Sequence, residues 1–80
     1  MSTSPKRGIK PIQFVRLLRL AVNKRASLQD RSWARTRMTD AKEFMRYEEI
    51  AQTIKRLAHK NSRLRVSLEK GLQEIFSAPR

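Results

Sequence analysis

The sequence has no cysteine, one histidine and only two glycines. Without cysteine, neither a disulfide framework nor a Cys-based zinc site can stabilise the chain, and His59 alone supplies too few ligands for a histidine-rich metal site. Two glycines and three prolines encode few tight turns, which argues against an all-β fold. We therefore expect an all-α chain with no metal centre and no cofactor.

Long hydrophobic runs are also missing. No apolar stretch approaches the roughly 18 residues that cross a bilayer, and no secretory hydrophobic region follows Met1. We therefore expect an intracellular protein that is not secreted and does not use a membrane as its partner. A length of 80 residues fits one small domain with a thin core rather than a multi-domain enzyme.

Negative charge is scarce, above all at the start of the chain. Nineteen Lys and Arg face seven Asp and Glu, a net charge of +12, and no carboxylate precedes Asp30. A domain this basic usually meets a polyanion such as nucleic acid, anionic lipid or an acidic protein. An arginine-rich, acid-poor and amphipathic start is also typical of mitochondrial targeting segments, which predicts a location in the mitochondrial matrix.

Helical periodicity predicts three helices in a single domain. Pro11 suits the first turn of a helix, and beyond it the apolar residues share one arc while Arg16 and Arg19 fall opposite. Leu20 falls on the polar side. Ser27 suits the N-cap of a second helix. The predicted bounds are a flexible basic arm at 1–10, a single helical domain at 11–76 with helices at 11–26, 28–38 and 40–76, and a tail at 77–80.

The third helix is predicted to be long and amphipathic, with Thr39 or Asp40 as its cap. Its length of about 55 Å exceeds what the other two helices can cover, which predicts a protein partner or a second copy over the remaining apolar stripe. Asn61 lies within that stripe, where it either fixes the register of paired helices or caps a break between two helices. The predicted partner interface consists of Ile54, Leu57, Asn61, Leu64, Leu68, Leu72 and Ile75.

Catalytic constellations are missing from the sequence. Glu48 and Glu49 are adjacent, so on a helix they diverge by about 100° and do not form a working pair. Gly8 and Gly71 are too far apart to build a phosphate-binding loop. We therefore expect a protein that is not an enzyme.

The basic residues predict a binding function instead. Arginine outnumbers lysine, and its planar guanidinium group binds phosphates bidentately and stacks on bases. This bias favours structured RNA, held through its phosphate backbone, and a structural subunit of a ribonucleoprotein such as a mitochondrial ribosome. The predicted nucleic-acid-binding residues are Lys6, Arg7, Lys10, Arg16, Arg19, Lys24, Arg25, Arg31, Arg35, Arg37, Lys55, Arg56, Lys60 and Arg63.

The single tryptophan allows two interpretations. Trp33 lies between Arg31 and Arg35 in the sequence, where its ring would stack on an exposed base. Alternatively, it anchors the second helix in the core, because that helix has few other apolar residues to bury. The sequence favours the core anchor.

The segment 14–19, Phe-Val-Arg-Leu-Leu-Arg, resembles the opening of the LYR-motif family of small basic mitochondrial three-helix proteins. Phe14 and Val15 stand where the family has Leu and Tyr, and residues 31–34 and 43–44 resemble its second and third elements, so the resemblance covers Phe14 to Phe44. It implies an adaptor or assembly subunit that docks an acidic protein such as an acyl carrier protein. Arg16 would then face that partner, and the apolar interior would accept an acyl chain.

A third hypothesis is a viral or phage regulator. A continuous apolar stripe with Asn61 inside it would suit a helical dimer that grips duplex nucleic acid. Such a protein would form a stable homodimer without any other partner.

Overall fold

The computed structural model describes residues 9–78, and these residues form four α-helices with no strand among them. The helices are α1 (Pro11–Val22), α2 (Leu28–Ala41), α3 (Tyr47–Leu57) and α4 (Ser62–Ser77), and a 3-10 turn (Lys42–Phe44) lies between α2 and α3. The all-α prediction is therefore confirmed. The prediction of three helices with a long third one is wrong.

Part of the predicted flexible arm at 1–10 packs against the helices. Residues 1–8 lie outside the described residues, so the prediction of flexibility is not tested there. Ile9, however, packs against the core, and its N–H lies 3.4 Å from Sδ of Met45. At the other end of the chain, α4 includes Ser77, the first residue of the predicted tail.

α1 begins at Pro11 as predicted but ends at Val22, ahead of the expected end at Ala26. Asn23 accounts for the early end, because its Oδ1 accepts a hydrogen bond from the N–H of Arg25 at 2.9 Å. A side chain that bonds to the nearby backbone in this way offers an alternative to the helical pattern.

α2 begins as predicted and runs on past its expected end at Met38. Ser27 Oγ accepts a hydrogen bond from the N–H of Asp30 at 3.1 Å, so the predicted N-cap is confirmed. The helix then continues through Thr39 and Asp40 to Ala41, and the prediction that one of these two residues caps a new helix is wrong. Met38 and Ala41 are both buried, so packing extends the helix beyond its local cap signals.

Lys42 connects the end of α2 to the end of α4. Its Nζ donates hydrogen bonds to the carbonyl oxygens of Ile75, at 2.8 Å, and of Ala78. The last carbonyl groups of a helix lack partners within the helix and carry partial negative charge, so a lysine ammonium group stabilises them.

The predicted third helix is interrupted between α3 and α4. Asn61 Oδ1 accepts a hydrogen bond from the N–H of Leu64 at 3.0 Å, which makes Asn61 the N-cap of α4. Its side chain is exposed, so it does not set the register of a paired-helix seam. Of the two interpretations of Asn61, the break between helices is the correct one, and Asn61 begins the second helix rather than ending the first.

Removing this cap should destabilise the protein. We expect Asn61→Ala to lower the free energy of unfolding by about 1 kcal/mol, because the N–H of Leu64 loses its acceptor. Asn61→Asp keeps an acceptor oxygen at the same position and is expected to retain most of the stability. Urea unfolding followed by circular dichroism measures both variants, and equal losses in the two would contradict the role of the cap.

The apolar stripe of α3 and α4 folds back onto α1 and forms the core of the same chain. Most of the predicted partner interface is therefore not an exposed surface, because two short helices can be covered where one long helix could not. Leu57 and Asn61 are exposed, and Leu64 is half-buried. The interface residues that are buried with Phe14 and Leu18 in this core are Ile54, Leu68, Leu72 and Ile75.

Gly71 allows α4 to approach α1 closely. A β-carbon added at Gly71 would lie 3.0 Å from Leu18 Cδ1 and 3.0 Å from Val22 Cγ1, which is tighter than ordinary van der Waals contact. The lost helix propensity of about 1 kcal/mol relative to alanine is thus offset by close packing against α1. Beside this contact, the ring of Phe76 in α4 lies 5.8 Å from that of Phe14 in α1.

Candidate nucleic-acid interface

The predicted nucleic-acid-binding residues lie mainly on the surface. Lys6 and Arg7 fall outside the described residues. The other predicted side chains are exposed except that of Arg31, which is half-buried; Arg31 Nε is buried and has no hydrogen-bond partner within the described part of the chain. Cations that stay in water keep their charge available for a polyanion.

A groove runs between α1 and α2, and it is the site with the most distinctive chemistry. It has a volume of about 330 Å³. Trp33 is 53% exposed at this groove, and the guanidinium carbon of Arg37 lies 5.8 Å from the centre of its ring, within the range of cation–π contacts. The residues lining this α1–α2 groove are Ile9, Gln13, Arg16, Leu17, Leu20, Trp33 and Arg37.

The position of Trp33 corrects the expectation of a core anchor. The core under α2 is built from Ala34 and Met38 instead, and both have no exposed surface. The two arginines that line the groove with Trp33 are Arg16 and Arg37, whereas Arg31 and Arg35, between which Trp33 lies in the sequence, do not line it.

Arg35 points to another part of the molecule. Its Nη2 lies 3.9 Å from Oε1 of Glu74 in α4, and both side chains are more than half exposed. An exposed pair of this kind contributes about 0–1 kcal/mol. Arg35 is therefore partly compensated in charge, and it does not share a groove with Trp33.

A second groove lies between the start of α1 and one side of α3. It comprises two adjoining depressions of about 530 and 550 Å³ that share Pro11, Thr53 and Arg56. Ile12 and Leu57 contribute apolar surface to one of them, and Lys55 and Glu49 contribute opposite charges to the other. The complete lining of this α1–α3 groove is Lys10, Pro11, Ile12, Glu49, Gln52, Thr53, Lys55, Arg56 and Leu57.

The residues of the compact basic patch expected on the third helix lie on both sides of the helix break. Lys55 and Arg56 lie in the last turn of α3, Lys60 lies in the connection, and Arg63 lies in the first turn of α4. Only the first two line a groove. In contrast, Arg16 and Arg19 both stand on the exposed face of α1, and Arg16 joins Arg37 in the α1–α2 groove.

Sequence reasoning missed the floor of the α1–α2 groove. Leu17 and Leu20 are half-buried there, next to Ile9. The signal was Leu20, an apolar residue of α1 that falls on the polar side of the predicted helix. Leu20 lies on that side because it lines the α1–α2 groove.

Other kinds of site find no support in residues 9–78. In this range no group of three or more His, Asp or Glu side chains could hold a metal ion. None of the helices there is long and apolar enough to span a bilayer. Comparison of the chain with protein-family models, with curated proteins and with solved structures finds no match.

Proposed function

We propose that the protein is a non-enzymatic RNA-binding protein. It holds structured RNA through the phosphate backbone, as a structural subunit of a ribonucleoprotein such as a mitochondrial ribosome. The observation that carries this proposal is the α1–α2 groove, where Arg16 and Arg37 flank a half-exposed Trp33 and no carboxylate occurs among the described lining residues.

Charge supports the same function. Guanidinium groups form strong, charge-assisted hydrogen bonds with phosphate oxygens. The net charge of +12 also exceeds the magnitude of roughly 2–8 that keeps a small domain soluble. Since Arg19 is also exposed on α1, one helical turn from Arg16, several phosphates of one RNA can be neutralised together.

The salt dependence of RNA binding tests this function. We expect the affinity of the full chain for a labelled RNA hairpin to fall steeply with KCl concentration, because each neutralised phosphate releases counterions. Contact with about five phosphates gives a slope near −4 in a plot of log K against log salt. Fluorescence anisotropy measures the slope. Failure to bind the hairpin even at low salt, or a slope near zero, would refute the proposal.

A second measurement places the protein in its cellular particle. The tagged protein is purified from its native cells at moderate salt, with and without ribonuclease. A ribonucleoprotein subunit should arrive with RNA and a large particle and should be released by ribonuclease. Recovery with one or two acidic proteins, unaffected by ribonuclease, would favour the second candidate.

That second candidate is an adaptor that docks an acidic protein, as the resemblance to the LYR-motif family implies. It is favoured by the α1–α3 groove, where Ile12 and Leu57 are 39% and 53% exposed beside Lys10 and Arg56. An apolar centre with a cationic rim suits an amphipathic acidic helix. The acyl chain is less well accommodated, since it would have to displace buried side chains such as that of Phe14.

The main argument for a homodimer does not apply to this fold. The apolar stripe that called for a second copy is mostly buried in the core of the same chain, and Asn61 caps α4 rather than setting a register. The dimeric regulator therefore stays a hypothesis without a specific surface to carry it.

A further inference from the structure

We propose that the α1–α2 groove binds one unpaired nucleotide of the RNA, with the base stacked on Trp33 and the adjacent phosphate between Arg16 and Arg37. This inference rests on the proposed RNA-binding function and adds to it a preference for single-stranded positions. Binding through the backbone alone would not distinguish a loop from a duplex.

The first argument is the position of the indole ring. Trp33 is 53% exposed, although burial of so large a side chain would stabilise a small domain. Arg37 lies over the ring at 5.8 Å from its centre, and because it is one helical turn further along α2 its position is set by the same helix. A flat, apolar ring held beside a cation is the surface on which unpaired bases stack.

The second argument is the charge of the groove. Arg16 and Arg37 are its charged residues, and among the described side chains that line it none is negative. Gln13 adds a donor, because its Oε1 already accepts the N–H of Lys10 at 3.0 Å and its NH₂ group is left to donate. The occupant must therefore offer negative charge and hydrogen-bond acceptors, as a nucleotide does.

The third argument is size. A volume of about 330 Å³ is at the lower end of the range of small-ligand sites, roughly 300–1,000 Å³. The apolar floor of Leu17 and Leu20 also suits the face of one base. Bases inside a duplex are stacked on each other and cannot enter such a groove. An acidic peptide would satisfy the arginines but would offer the indole no base to stack on.

Trp33 is the only tryptophan of the chain, so its fluorescence reports on this groove alone. The full chain is titrated with two labelled RNAs, a hairpin with an unpaired loop and a blunt duplex that has the same stem. Anisotropy of the label measures binding, and the Trp33 emission measures stacking. We expect both RNAs to bind, and we expect only the hairpin to quench Trp33 strongly.

Variants separate stacking from charge. Trp33→Ala and Trp33→Leu should weaken hairpin binding by about 5- to 150-fold, the range that loss of one stacked base implies, and should leave duplex binding unchanged. Val66→Ala is the matched control, because Val66 is an apolar residue of α4 that is 58% exposed. Circular dichroism verifies that each variant is folded, and Trp33→Leu keeps the apolar surface of the groove while removing the flat ring.

The outcomes distinguish a failure of the nucleotide site from a failure of the proposed RNA-binding function. If both RNAs bind, Trp33 emission stays constant and the Trp33 variants bind normally, the nucleotide site is refuted and backbone binding stands. If neither RNA binds, the proposed function fails and the nucleotide site fails with it. If a Glu-rich peptide quenches Trp33 and displaces the hairpin, the groove is a protein-docking site and the inference is overturned.

Discussion

Leu68→Asp should unfold the protein. Leu68 is 1% exposed and belongs to the core that α1 and α4 share. The substitution removes buried apolar surface and places a carboxylate among apolar side chains that cannot compensate its charge. We expect the free energy of unfolding to fall by about 4 kcal/mol or more, which is most of the stability of a domain this small. Thermal and urea unfolding by circular dichroism measure the loss.

Val66→Asp provides the matched control. It introduces the same charge into the same helix, but Val66 is 58% exposed, so we expect a change within about 0.5 kcal/mol. The pair separates two interpretations of the apolar stripe. If Leu68→Asp stays folded and loses only self-association or a protein partner, the stripe is an intermolecular surface, as the sequence suggested, and not the core.

Helical periodicity did not reveal the break between α3 and α4 because of the length of the connection. The connection between α3 and α4 is residues 58–61, which is close to one helical turn of 3.6 residues. Four residues at 100° each advance the helical pattern by one full turn and only about 40° more, so the apolar residues of α3 and α4 stay nearly in phase. Periodicity records the direction of an apolar face, and both helices face the same core. Only the local cap signal of Asn61 distinguished two helices from one.

The length of the second helix was underestimated for a different reason. Its apolar positions are few, and Thr39 and Asp40 are residues that favour caps. Burial of Met38 and Ala41 against the rest of the domain outweighs those local preferences, because tertiary packing routinely overrides propensity. Contacts between distant segments decide this boundary, and such contacts are not visible in a local pattern.

The candidate site was predictable in its parts but not in its assembly. Helical periodicity correctly placed Arg16 and Arg19 on an exposed face, and the spacing of Trp33 and Arg37 is that of neighbours on a helix. The meeting of Arg16 with Arg37 depends on how α1 lies against α2. Likewise, Arg56 and Lys60 were expected on one helix, whereas Arg56 lies in α3 and Lys60 lies in the connection to α4.

Removing charge from the α1–α2 side should weaken RNA binding far more than removing equal charge elsewhere. The first variant replaces Arg16, Arg19 and Arg37 with glutamine. The second replaces Lys60, Arg63 and Lys70, which are exposed and line neither groove. Both reduce the net charge from +12 by the same amount, so a difference between them reports on position.

We expect the first variant to lose at least about 100-fold in affinity for the RNA hairpin, because each charge-assisted hydrogen bond to phosphate contributes about 1.5–3 kcal/mol. Its salt slope should also become shallower by about one unit for each lost phosphate contact, while the second variant should keep nearly the full slope. Anisotropy titrations at several KCl concentrations measure both quantities. Equal losses would mean that RNA responds to net charge alone. Larger losses in the second variant would mean that RNA binds at α4 and the connection that precedes it. Because both sets of side chains are exposed or lie at the rim of a groove, unfolding does not explain a difference between the variants.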